Sequence, residues 1–349
     1  GCENLFAKEQ APLKDPLRAN LTAAYTSPIE FDGKVFFLMS NGELIQSTID
    51  LKQQKVLFKT EKFTFSQPVL SENTLYFGEG THDDQEVNFY AFNLKTSQLD
   101  FKTNVSGHIE RTAAITDDKV IFGAGKAGLI ALDKKGKLRW QLKNYGPKTL
   151  HVDSSPLVYK EKIYFSSIYE NKLVLQADLN GQVHWATPTI RAVKNDMFIY
   201  KNKLLAFATN AMAEGSPREE PTDFLQFSNT GGGLDKEIAL RGYNFFGPLM
   251  VDGNIYFAMS SGDFLSVNID TNKISFIDQM VEPFLMSPFR LTNKICTGSS
   301  VGRLSCYSME GYKLSAKTKL KEFFQGKPGY VAGRPWLPTR MGYFVNTNE

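Results

Sequence analysis

The chain has 349 residues, 42% hydrophobic and 22% charged, with a formal net charge of +3. That is enough apolar material for a core, and too mild a charge to point to nucleic acid. No run approaches the eighteen apolar residues of a membrane-crossing helix.

Gly1-Cys2 fits the end of a bacterial lipoprotein signal, with Cys2 acylated; the alternative is an expression remnant. Asn4-Leu5-Phe6-Ala7 and the 13–21 stretch then read as two strands in search of a sheet. From Pro28 onward a frame repeats: a small residue or proline, three residues, a tight turn, then an apolar strand. Ser155-Pro156-Leu157-Val158-Tyr159-Lys160-Glu161-Lys162-Ile163-Tyr164-Phe165 and Gly247-Pro248-Leu249-Met250-Val251-Asp252-Gly253-Asn254-Ile255-Tyr256-Phe257 show it clearly. It starts at Pro28, Pro68, Ala113, Pro156, Met197, Pro248, Pro288 and Pro335, at spacings of 40, 45, 43, 41, 51, 40 and 47. A strand-rich period in the low forties means radial blades.

Each repeat resolves into four strands, A to D. In the third they are Ala113–Thr116, Val120–Gly123, Leu129–Asp133 and Leu138–Leu142. Residues that tolerate hairpin geometry separate A from B, as in Asp32-Gly33, Glu72-Asn73, Lys160-Glu161, Lys201-Asn202 and Asp252-Gly253. The eighth start, Pro335, leaves room for two strands, Trp336–Thr339 and Tyr343–Asn346. The expected fold is therefore all-β. It is one eight-bladed propeller over 1–349 with four-stranded antiparallel blades, residues 1–26 and 335–349 sharing the last. Seven blades with a loose terminal segment is the alternative.

Alternating strands put B–C and D–A connections at one end of every blade. The long ones, Glu79–Asn88, Asn210–Asp223, Gln141–Ser154 and Ala316–Gly333, all fall there. The D–A connections are richer in Lys and Arg than in acid. The two long B–C loops carry acidic clusters at Glu79, Asp83, Asp84, Glu86 and at Glu214, Glu219, Glu220, Asp223. Arginine beside aromatics is common hot-spot chemistry. It makes Arg241, Phe245, Phe246, Phe284, Phe323, Phe324, Tyr330 and Arg334 the candidates for partner binding. For each ring the alternative is a plug under its own loop. Cys296 and Cys306 lie on two arms of one hairpin, where they pair as a disulfide or pack as buried thiols.

The third and fourth repeats contain Ala131-Leu132-Asp133-Lys134-Lys135-Gly136-Lys137-Leu138-Arg139-Trp140 and Ala177-Asp178-Leu179-Asn180-Gly181-Gln182-Val183-His184-Trp185. This resembles the motif of the quinoprotein-type (PQQ-like) propeller repeat. The resemblance implies that the aspartate caps the C–D turn, the glycine takes a left-handed conformation, and the tryptophan docks on the next blade. Phe58, Phe101 and Phe276 stand near the tryptophan position elsewhere. One branch of that family is enzymatic. The other, BamB-like, consists of scaffold lipoproteins of outer-membrane assembly, and the chain's size and Cys2 resemble the second.

Catalytic chemistry finds little support. The vicinal cysteines common over a bound quinone are missing, and Thr81-His82-Asp83-Asp84-Gln85-Glu86 lacks the spacing of a calcium loop. His82, His108, His151 and His184 lack metal-ligand spacing and read as unrelated surface residues, a shared polar role for His108 and His151 being the alternative. Thr230-Gly231-Gly232-Gly233 reads as a turn. No cofactor, metal or catalytic residue is expected. The expected function is a monomeric, non-catalytic envelope scaffold, lipid-anchored on the periplasmic side of the outer membrane and docking a protein of the assembly machinery. The alternatives are a small-molecule or quinone-cofactor propeller and a glycan-binding one.

Overall fold

The computed structural model describes residues 26–211 and 215–345. Its sheets follow the repeats: blades at 29–59, 69–106, 114–142, 157–188, 198–240, 249–279, 289–319 and 329–345. Seven hold four consecutive antiparallel strands, and the fifth adds a short fifth strand, Ala192–Val193. The chain is an eight-bladed β-propeller, and among the described residues there is no helix.

The A–B turns adopt the geometry their residues favour. Asp32, Glu72, Lys160, Lys201, Asp252, Thr292 and Ala332 all have φ between 45° and 55°. Such left-handed two-residue turns match the twist of the strands they join.

The last blade differs from expectation. Its strands are Gly329–Val331, Arg334–Thr339 and Gly342–Val345, joined first by Ala332-Gly333. The eighth frame thus starts at Pro328, and Pro335 lies inside strand B opposite Tyr330. The loop expected over Ala316–Gly333 shrinks accordingly, because strand D of blade 7 runs to Lys319. The strands assigned to residues 4–21, like Cys2, lie outside the described residues.

The chain forms two compact units, blades 2 to 5 in one and blades 1, 6, 7 and 8 with residues 215–220 in the other. In the latter, blade 1 packs directly on blade 8. Phe37 meets Trp336 at 6.3 Å and Tyr343 at 5.5 Å between ring centroids, inside a core with Val35, Ile45 and Val331. The Tyr343 hydroxyl donates to the Thr26 carbonyl, and the Ser27 hydroxyl donates to that of Lys327 at 2.9 Å. Sequence-distant ends are thereby joined by a hydrophobic seam.

Cys296 and Cys306 face each other on strands B and C of blade 7 and are disulfide-bonded, 2.00 Å between sulfurs. Of the three cysteines, that leaves Cys2 outside the bond. A thiol titration in guanidinium without reductant is therefore expected to find no more than one reactive thiol per chain. Three reactive thiols would show the bond to be absent.

Blades 2 to 5 are locked by a ladder of rings on glycines. Asp133 Oδ1 accepts the backbone N–H groups of Lys135 and Lys137 at 2.8 and 3.0 Å, which folds the turn and leaves Gly136 at φ 87°. Asp178 does the same for Asn180 and Gln182, with Gly181 at φ 84°. Each glycine lies under an aromatic from the preceding blade: Gly136 under Phe101, Gly181 under Trp140, Gly232 under Trp185. A Cβ there would sit 2.4–2.7 Å from the ring. Trp140 Nε1 also donates to the Leu179 carbonyl at 2.9 Å.

Phe276 breaks the series, being 73% exposed. In blade 2 the bulge precedes Phe101, so Phe92 faces Leu99 and Ala91 faces Phe101. In blade 6 the bulge follows Phe276. A one-residue displacement of a bulge turns the side chain to the other face of the sheet.

Candidate interaction site

In blades 2 to 5 the B–C and D–A connections gather a buried polar cluster. His108 follows strand D of blade 2. Gly107, at φ 101°, lets this segment pass close to Ala124, where a Cβ would lie 2.0 Å from the carbonyl oxygen. The imidazole rests on Gly125, whose missing side chain makes its room. Gly125 in turn exchanges two backbone hydrogen bonds, both 2.9 Å, with Val152 in the D–A connection of blade 3. That bridge delivers Asp153 to the His108 ring. On its other side, His151 is held by the Ser167 hydroxyl, 3.0 Å from its backbone N–H, and by the Ile168 N–H bonded to its carbonyl at 2.9 Å.

Asp153 lies between the two rings, with His108 Nε2 2.7 Å from Oδ1 and His151 Nε2 3.0 Å from Oδ2. Burial opposes its charge, yet the bonds from His108 and then His151 hold its carboxyl well below the usual range. Burial likewise works against a charged His108, but the Asp153 bond and charge raise it above an ordinary imidazole. Glu110 is pushed up by burial and by Asp153. Lys194 is brought down to about 8 by burial and then by Arg111. The histidines read as unrelated surface residues are thus, for this pair, one linked group, and His108 is core.

His151 also lines an open cleft of about 480 Å³ with Lys126, Lys143, Asn144, Thr149 and Tyr169. Tyr169 meets the His151 ring edge-on at 4.6 Å from a backbone at φ 66°. A bulky residue held in that region stores strain, a feature concentrated at functional sites.

Glu79 and Asp223, assigned to acidic patches, are buried instead. Glu79 accepts five hydrogen bonds, from Glu61, Lys62, Tyr90 and twice from Asn88. Asp223 pairs with Arg191 at 2.8 Å. Asp83 and Glu86 are exposed, as is Glu219 in the second loop, while Glu214 lies outside the described residues.

The candidates for partner binding divide. Phe284 and Phe324 are fully buried and belong to the cores of blades 6 to 8, so they cannot present themselves to a partner. The Tyr330 hydroxyl is tied to the Arg290 backbone, accepting its N–H at 2.7 Å. Arg334 opens strand B beside the Ala332-Gly333 turn, at the opposite end of the blade from the long connections. Arg241 forms a two-pronged bond with Asp263 at 3.0 and 2.8 Å and stays half-exposed. Phe323 is half-buried under the Arg340 guanidinium, 3.6 Å from the ring. Phe245, half-buried like Phe246, lies against Tyr243 at 5.0 Å.

The D–A connections expose other apolar side chains that no motif pointed to. Phe63 is 64% exposed, Ile190 76% and Val281 89%. Their signal in the sequence is faint, an apolar residue in a connection otherwise built of polar and turn-forming ones. The Arg218 guanidinium caps the Val281 carbonyl at 2.6 Å and that of Ser260 at 3.0 Å.

No protein-family model matches the chain, and no curated protein matches it. Among solved structures it is similar to BamB from Moraxella catarrhalis, with a TM-score of 0.71 at 11% identity, covering 97% of this chain and 96% of that one. It is also similar to the computationally designed Ika8 protein, TM-score 0.69 at 10% identity, covering 93% and 96%. At such identities the likeness is one of fold.

Proposed function

We propose that the chain is a non-catalytic scaffold of the cell envelope that docks a protein partner through the D–A and B–C end of its blades. The observation that carries this reading is the exposure of Phe63 and Ile190 on D–A connections of the unit that holds blades 2 to 5, with Val281 exposed on a D–A connection of the other unit. A large apolar side chain left in water becomes a binding anchor when a partner desolvates it, and that is the role assigned to these residues. The fold shared with BamB and the repeat motif favour a partner in outer-membrane protein assembly and a place on the periplasmic side of that membrane. The Cys296–Cys306 bond suits an oxidising compartment. An acyl chain on Cys2 would supply the anchor.

Capture from detergent-solubilised envelopes tests this. The wild-type chain is expected to retain a specific membrane-assembly protein. Phe63→Ser combined with Ile190→Ser, and separately Val281→Ser, are expected to weaken capture at least about tenfold, the effect of losing one hot-spot side chain. These residues are exposed, so melting temperatures should be unchanged. Identical partner profiles for wild type and variants would remove the surface from consideration.

A further inference from the structure

We propose that His108, His151 and Asp153 form a transition-metal site of the Zn²⁺ type, its open coordination position directed to the cleft beside His151. It uses none of Phe63, Ile190 and Val281, though it too lies on D–A connections, and it stands or falls separately.

The donor set comes first. Two imidazole nitrogens and one carboxylate oxygen suit Zn²⁺ and its borderline neighbours, and three protein ligands with a vacant position describe an open zinc site. Hard cations such as Ca²⁺ need six or more oxygens, and this cluster supplies one carboxylate.

The geometry is close to what an ion requires. One ligand atom from each residue lies within 4.8 Å of the others, and the two nitrogen–oxygen separations are 2.7 and 3.0 Å. Ligands held at ~2.0–2.1 Å from one tetrahedral ion are themselves about 3.3 Å apart, a few tenths of an ångström wider than these pairs. The three side chains therefore need only small rotations to share a centre. They come from two D–A connections pinned by the Gly125–Val152 bridge, so the arrangement is built into the backbone.

His108 is placed by its surroundings. Its ring is 1% exposed, and Nδ1 has no hydrogen-bond partner among the described residues. Nε2 is the nitrogen facing Asp153, so Nδ1 is not the ligand atom, and the bond that usually orients a metal-bound imidazole from its other nitrogen is left to water. Here the chain retains the ring, clears space for it at Gly125, and aims Nε2 at a carboxylate that a second imidazole shares. That is the layout of a ligand set. His151, the most accessible of the three, lines the cleft and so offers an entry path.

The test uses the full chain carrying Cys2→Ser, so that the thiol outside the disulfide does not compete, stripped with EDTA and titrated with zinc chloride alone. The expected result is one equivalent bound by calorimetry and a melting temperature raised by several degrees, with calcium chloride doing neither. His151→Ala is the decisive variant, because its side chain is partly exposed and its loss leaves the core intact. In EDTA it should melt slightly below the parent, because Asp153 loses one of its two imidazole bonds, gain no melting temperature from zinc, and bind zinc at least about 100-fold more weakly, a larger loss than outer-shell changes give. Asp153→Asn should behave likewise if it folds. Absence of zinc binding by the parent, or equal affinity in parent and His151→Ala, would overturn the site and leave a plain histidine–aspartate–histidine network. Partner capture repeated in EDTA keeps the two proposals distinguishable.

Discussion

Replacing Glu79 by leucine is expected to cost about 3–5 kcal/mol of stability, because it strips the acceptor from several buried hydrogen-bond donors at once. Glu79 is fully buried, and its carboxylate is the acceptor around which the start of the blade 2 loop end folds. Oε1 takes the backbone N–H groups of Glu61 and Lys62 at 3.0 and 3.4 Å and the Tyr90 hydroxyl. Oε2 takes the Asn88 backbone N–H at 3.0 Å and its side-chain amide at 3.1 Å. Burial, and then the bond to Glu79, push the Tyr90 phenol above its usual range, so it stays a donor at any ordinary pH. Leucine matches the bulk and removes every acceptor, leaving several buried donors at about 1–3 kcal/mol each, less whatever water recovers. Glu79→Gln keeps one oxygen and should lose roughly half as much. The Glu79 carbonyl also accepts the Ile109 N–H at 3.0 Å, so the disturbance should reach the His108 segment. Chemical denaturation measures the loss, and hydrogen exchange at Glu61, Lys62 and Ile109 locates it. A loss under about 1 kcal/mol would mean that the carboxylate is an ordinary surface acid.

What the sequence disclosed and what it hid follow from range. The A–B turns were legible because a two-residue turn depends on its own residues, as in Asp32-Gly33 and Lys201-Asn202. The same local logic misplaced the eighth frame, since Pro328 and Pro335 both precede an apolar run and only pairing distinguishes them. The histidine cluster was hidden because composition and nearest-neighbour spacing do not report on neighbouring blades. Yet His108 and Asp153 are 45 residues apart, close to one repeat. So are Ser66 and Arg111, and Thr112 and Ser155 at 43, all hydrogen-bonded in the structure. In a repeat protein, polar residues one period apart at equivalent positions are candidate contacts, as those four apart are on a helix. Glu79 was misread for a different reason. Its charge is visible in the sequence, but the donors that bury it come from two segments.

The ring-on-glycine ladder gives the sharpest contrast in expected effect. Trp185→Ala should cost about 3–5 kcal/mol, the usual loss for a large aromatic removed from a core. At ~2 cal/mol/K of unfolding entropy per residue, that lowers the melting temperature by about 4–7 °C if the chain melts as one unit. Trp185 is nearly buried among Tyr164, Phe227 and Val193, covers Gly232 and bonds the Asn229 carbonyl at 3.4 Å through Nε1. Its loss opens a cavity and uncovers a turn that has already spent its glycine on a left-handed conformation, φ 72°. Phe276→Ala, at the corresponding motif position of blade 6, should change stability by no more than about 0.5 kcal/mol, as exposed substitutions do. Among the described residues nothing lies within 4 Å of where a Cβ on Gly311 in the following blade would be, so no ring there is lost from that turn. Equal losses at the two positions would show that aromatic identity alone sets the effect. The expected inequality would show instead that the bulge, by choosing which face the ring takes, decides whether the repeat motif binds one blade to the next.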